Sequence, residues 1–240
     1  MNYNELNFDA MTRERELSMS AAFPVLMRKV YVWMTLALVI TGITAYGVAS
    51  SPGVISALYS NQAIMWGLII AEFALVIGIS VAINRLSLPT ATMLFVLYSA
   101  INGVMLSSVF LIYTASSIAS VFFITAGTFA VMAFIGYTTK TDLTSMGKII
   151  MMALIGLIIA SLVNVFLVKS SGFDLILSYV GVLIFVGLTA YDSQKIKQML
   201  LEAPDAGEGA QKLALLGALS LYLDFINLFI YLLRIFGKRE

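Results

Sequence analysis

The 240 residues contain no cysteine and no histidine, and only 11% of them are charged. Without cysteine there is neither a disulfide framework nor a thiolate metal site. Without histidine there is no imidazole base, no histidine metal ligand and no group that ordinarily titrates near neutral pH. Any pH response must then come from displaced carboxylates or lysines. A formal net charge of +1 gives no sign of a nucleic-acid partner. The first 27 residues carry mixed charge, including Glu5, Asp9, Arg13, Glu14, Arg15 and Glu16, and no apolar core, so they do not read as a cleaved signal peptide. What is present is apolar: 60% of the residues are hydrophobic and the mean hydropathy is +0.97. A soluble domain is nearer half apolar and a quarter charged. This composition describes a polytopic membrane protein.

Seven apolar segments are long enough to cross ~30 Å of hydrocarbon at ~1.5 Å per residue. They run about Tyr31–Ala49, Ala63–Ile83, Thr90–Tyr113, Ile118–Tyr137, Gly147–Val168, Leu175–Tyr191 and Leu213–Phe236. The expected organisation is a segment 1–30 in the cytoplasm, an all-α transmembrane domain 31–236 and a short tail 237–240. With the N-terminus inside, the cytoplasmic side holds Arg13, Arg15, Arg28, Lys29, Arg85, Lys140, Lys148, Lys195, Lys197 and Lys212. The other side holds Lys169, Arg234, Lys238 and Arg239, so the basic residues divide 10 to 4 in favour of that orientation. Three of those four lie together at the C-terminus. Either the tail departs from the rule or the last segment fails to cross, as in a re-entrant or six-span arrangement. The third to fifth segments are rich in Gly, Ala, Ser and Thr, which suits close helix packing, and Asn102 and Asn164 are expected to form interhelical hydrogen bonds, with a lining role as the alternative.

Two acids sit near the middle of apolar spans, Glu72 in the second and Asp224 in the seventh. A charged carboxylate there costs ~2.5 kcal/mol or more and normally faces a protein interior or a water-filled cavity. Ser220, Asp224, Asn227 and Tyr231 follow at helical spacing and form one polar stripe. Asp142 reads as a solvated loop acid, and Asp174 as a helix-start acid placed to suit the dipole. Asp192 ends the sixth apolar run. If that helix continues toward Met199, Asp192 and Asp224 differ in depth by only ~6 Å at ~1.5 Å per residue. Two carboxylates in contact would share a proton and act as one proton-sensitive latch. Alternatively each meets a separate basic or hydroxyl group and only fixes packing. Asp192, Asp224, Glu72 and Asn227 supply hard oxygen ligands of the kind calcium takes, too few for a tight site and suited to weak, transient binding.

The stretches GLTAYDSQKI and SLYLDFINLFIYLLRIF resemble the signature segments of the transmembrane Bax-inhibitor-motif family. The likeness extends to the seven-span layout, Glu72 and Asn164. It implies a bundle with the seventh helix central and enclosed by the other six. It also implies a pH-dependent calcium leak gated by an aspartate pair, here Asp192 and Asp224, in a bacterial inner membrane. Bacterial-type members are similar in placing an arginine cluster at the cytoplasmic end of the second helix to latch the sixth-helix aspartate. Only Arg85 is present here, slightly displaced. The resemblance implies no enzyme activity and no cofactor, with calcium as the permeant ion and lipid, calcium and protons as partners.

Competing readings are a proton-coupled transporter, a regulator of a membrane protease complex with structural buried acids, and an intramembrane aspartyl protease. The transporter is disfavoured by the lack of inverted repeats. The protease class shares a proton between two aspartates but carries Gly-x-Gly-Asp and Pro-Ala-Leu motifs. Here Leu221, Tyr222 and Leu223 precede Asp224, and no Pro-Ala-Leu occurs.

Overall fold

A computed structural model describes residues 3–203 and 205–239, with side-chain surroundings from residue 21 onward. Among the described residues every regular element is a helix. In chain order these are α1 (Tyr3–Ala49), α2 (Pro52–Ser60), α3 (Gln62–Ala82), α4 (Leu88–Leu106), α5 (Val109–Ile112), α6 (Ala115–Thr138), α7 (Thr144–Val163), α8 (Ser171–Leu201) and α9 (Glu208–Phe236). Hydrocarbon offers the backbone no hydrogen-bond partner, so each span must satisfy its own N–H and C=O groups, and the helix does this locally. Side-chain caps mark several starts: Asn61 accepts from the Ala63 N–H, Ser87 from Thr90 and Ser170 from Phe173.

Seven of these helical stretches are long and apolar enough to span a bilayer. Their outer faces carry large exposed apolar side chains such as Ile70, Phe73, Val81, Phe134 and Leu183. So much exposed apolar surface fits a lipid environment. The first span includes Ala21–Ala49, so Arg28 and Lys29 are carried within one continuous helix with the expected run from Tyr31. α1 runs without a break from Tyr3 through the expected boundary at residue 30. The third segment is broken after Leu106 by a turn at Ser107 and Ser108. The fifth closes in a wide turn over Asn164–Val168 before Lys169, which takes the left-handed conformation at φ 52°.

α9 is the centre of the bundle. In it 67% of the most apolar stretch is buried, against 44% in α8 and 6% in α3. It packs on α1, α4, α6 and α8, whereas α3 leans chiefly on α4, and α7 on α8. Enclosure by all six other spans is thus incomplete. The gap left between α3 and α7 is where the candidate site lies.

The seventh span crosses fully. After α9, Lys238 C=O accepts from the Thr114 N–H, Ser117 Oγ accepts from the Lys238 N–H at 2.9 Å, and Tyr113 bridges to Arg239. The tail is thereby fixed to the α5–α6 connection, at the opposite end of the bundle from the α8–α9 loop. The re-entrant and six-span alternatives are overturned.

Candidate functional site: a carboxylate-lined cavity within the bundle

A cavity of about 480 Å³ opens between α3, α4, α7, α8 and α9. Its polar lining is Glu72, Tyr98, Asn102, Asp192, Ser220, Asp224, Asn227 and Tyr231. The whole α9 stripe expected from helical spacing faces it. Asp224 is 4% exposed, in the middle of the most buried helix. Asp192 is half-buried on α8, which continues to Leu201 as its proximity to Asp224 requires. The two aspartates lie close enough for the charge of one to act on the other, and Asp192 also feels the charge of Lys195.

Glu72 reaches the same cavity from α3. Asn102 on α4 lies within hydrogen-bonding reach of Glu72 and of Tyr98, one turn back along its own helix. Three buried oxygens nevertheless have no hydrogen-bond partner among the described residues: Glu72 Oε1, Asn102 Oδ1 and Asp224 Oδ2. All three belong to residues that line this cavity. Unsatisfied buried acceptors are rare and costly, so their convergence on one cavity sets it apart from ordinary helix packing.

The remaining candidates are placed as follows. Asn227 donates Nδ2 to the Leu223 carbonyl at 2.8 Å, which ties its amide nitrogen to its own helix and turns the residue along the cavity wall. Arg85 is exposed in the turn between α3 and α4 and does not line the cavity, so the expected latch to Asp192 is not formed in this structure. Asn102 does link two helices. Asn164 instead closes the α7–α8 turn, exchanging bonds with the Ser170 backbone at 3.1 and 3.2 Å. Asp174, in the first turn of α8, pairs with Arg234 at 3.2 Å. Asp142 is held below the usual carboxylate range by the Thr144 hydroxyl and by the Thr144 backbone N–H, which donates to it at 2.8 Å at the first residue of α7. Among the described residues no three acidic side chains cluster as a metal-binding group. Tyr98 does not stand out in the sequence, and Asn102, expected chiefly as an interhelical hydrogen bond, also lines the cavity. Their spacing of four on a span facing that of Glu72 is the signal that would have found both.

Beyond Asp192, α8 is strapped down. Ser193 Oγ donates to the Ala133 carbonyl at 2.8 Å. Gln194 donates Nε2 to Thr141 C=O and accepts the Leu143 N–H, each at 2.8 Å. Lys197 Nζ donates to Tyr137 C=O at 2.9 Å.

Residues 24–240 match the family model described as inhibitor of apoptosis-promoting Bax1. The chain belongs to the Bax inhibitor family. Among its relatives in that family, the inner membrane protein YbhL of Escherichia coli K12 is 51% identical over 222 residues, covering 92% of this chain and 94% of the relative. A Borreliella burgdorferi protein is 48% identical, covering 89% and 92% of the two chains. A Rickettsia prowazekii protein, RP147, is 45% identical, covering 89% of each.

Proposed function

We propose that this Bax-inhibitor-family protein is a pH-sensitive cation leak that passes calcium across the inner membrane, with Asp192 and Asp224 as its titrating gate and Glu72 on its path. The observation that carries the reading is the cavity inside the membrane-spanning bundle, lined by the carboxylates of Glu72, Asp192 and Asp224, with one oxygen each of Glu72, Asp224 and Asn102 left unsatisfied. Side chains of this kind are hard oxygen ligands, and a site short of a full calcium cage binds weakly enough to release. The aspartate pair supplies the pH response. With a shared proton it carries one negative charge; with none, two like charges face each other in a low-dielectric space, and their repulsion acts between α8 and α9. Because Ser193, Gln194 and Lys197 anchor α8, the wall free to answer is the one opposite, the least buried span α3 with Glu72.

The test is calcium flux into liposomes holding the purified chain, from pH 5 to 8. Asp192→Asn and Asp224→Asn each move or abolish the pH midpoint. The double substitution is far from additive, since the residues act as one unit. Glu72→Gln lowers flux with the fold intact. Single mutants that keep the wild-type midpoint would sink the coupled gate. Wild-type protein that passes no calcium at any pH would favour the regulator reading.

A further inference from the structure

A second cavity, of about 670 Å³, lies between α1 and α6, on the far side of α9 from the carboxylates. Met34 and Leu38 form one wall, Ala126 and Ala130 the other, and Phe129 with Phe225 of α9 the floor. It follows α1 from Pro24 to Leu38 and α6 from Phe122 to Tyr137. At ~1.5 Å per residue that is ~21 Å, longer than the ~15 Å of one leaflet's hydrocarbon. At one end Phe23 stacks on Tyr137 with centroids 6.4 Å apart.

The lining is apolar apart from Arg28, Tyr31 and Thr35; Arg28, its one charged side chain, lies toward that end, and no acidic side chain lines the cleft. The neighbouring cations are engaged: Lys29 Nζ donates to Gln211 at 2.9 Å, and Lys197 sits over the Tyr137 ring at 5.1 Å. Among the described residues Arg28 has no ion pair. Side chains on a helix lean toward its N-terminus, so an arginine here reaches back toward the headgroup level. A long apolar slot with one unpaired guanidinium at its interfacial end fits an amphiphile with an acyl tail and an anionic head.

We propose that the α1–α6 cleft is a binding site for an anionic phospholipid, with one acyl chain lying along the cleft and the phosphate held by Arg28. Arginine favours phosphate because its planar fork donates two parallel hydrogen bonds. The apolar walls select for a chain without regard to the head, and Arg28 supplies the preference for an anionic one.

The full-length protein is placed in bilayers of equal phosphatidylglycerol and phosphatidylethanolamine, released, and weighed with its retained lipid by native mass spectrometry. Wild type retains phosphatidylglycerol in preference to phosphatidylethanolamine. Arg28→Gln lowers phosphatidylglycerol retention about tenfold and removes the preference, as expected for one lost charge-assisted contact. Ala130→Trp, which fills the cleft, abolishes retention of both lipids. If Ala130→Trp does not fold, Thr35→Trp on the opposite wall makes the same test. Equal retention of the two lipids by wild type, unchanged retention in Arg28→Gln, retention that survives a filled cleft, or a second copy of the chain cross-linked across α1 and α6 would each overturn the site.

Discussion

At the residue scale, the centre of the molecule rests on one hydroxyl relay. Thr41 Oγ1 on α1 donates to the Ser99 carbonyl of α4 at 2.9 Å and lies 2.7 Å from the Tyr222 hydroxyl of α9. A threonine has a single hydroxyl proton, so if it goes to Ser99, Tyr222 must be the donor in the second bond. Tyr222 is fully buried, with Phe95 and Tyr98 packed edge-on against its ring, each at 5.9 Å. The two ends of the relay are therefore not equivalent. Tyr222→Phe removes only a donor and costs ~0.5–1 kcal/mol. Thr41→Val strands the buried Tyr222 hydroxyl and costs ~1–3 kcal/mol. The double mutant is more stable than Thr41→Val alone, because it removes the stranded group. Unfolding of the three variants in detergent checks the order; equal losses from the two single substitutions would contradict the assigned donor. The same chemistry explains what could be read beforehand. Glu72 and Asp224 stand out in sequence because a formal charge in an apolar run is expensive. Tyr98 and Asn102 do not, because an uncharged polar side chain there is ordinary packing until its neighbours are known. Arg85 matches the family pattern by type and approximate place, yet it is exposed in the α3–α4 turn and does not line the cavity.

At the element scale, helix existence was legible and helix ends were not. The apolar runs located all seven spans, but hydropathy stops at Tyr191 while the α8 helix continues to Leu201, since a helix can leave the hydrocarbon without ending. The short α2 carries too little apolar length to register as a span. The small residues of the third to fifth segments divide in a way composition cannot show. At Gly136 a methyl group would collide with the Ala190 carbonyl, so α6 and α8 meet there backbone to backbone; at Gly127 it would meet nothing. Gly136→Ala must push α6 away from α8, close to the Ser193–Ala133 strap, and costs ~1–3 kcal/mol as overpacking does. Gly127→Ala leaves stability unchanged or raises it by up to ~1 kcal/mol through helix propensity. Thermal unfolding of the two variants decides between them, and a neutral Gly136→Ala would show that α6 and α8 are not in contact at that level.

At the scale of the whole molecule, seven crossings place the two ends of the described chain on opposite faces, and the charge distribution chooses the faces. The end containing the α3–α4, α6–α7 and α8–α9 connections carries Arg28, Lys29, Arg85, Lys140, Lys148, Lys195, Lys197 and Lys212. The other end carries Lys169, Arg234, Lys238 and Arg239, of which Arg234 is paired with Asp174. Positive residues tend to remain on the cytoplasmic side during insertion, so we propose that the first end faces the cytoplasm and the tail the opposite side. The terminal basic group that argues against a seventh crossing in the sequence is held to the α5–α6 connection, through Lys238 and Arg239, and so belongs to the same end of the bundle as that connection. The chain has no cysteine of its own, so single introduced thiols report position without background. Cysteines at Ser116 and Lys238 are expected to react with a membrane-impermeant maleimide on intact cells. One at Lys140 is expected to react only after permeabilisation. All three side chains are exposed, so failure to label is not a matter of burial. Labelling of Lys140 and Ser116 positions from the same side would reject the crossing of α6. Labelling of Lys140 alone on intact cells would keep the fold and invert its orientation.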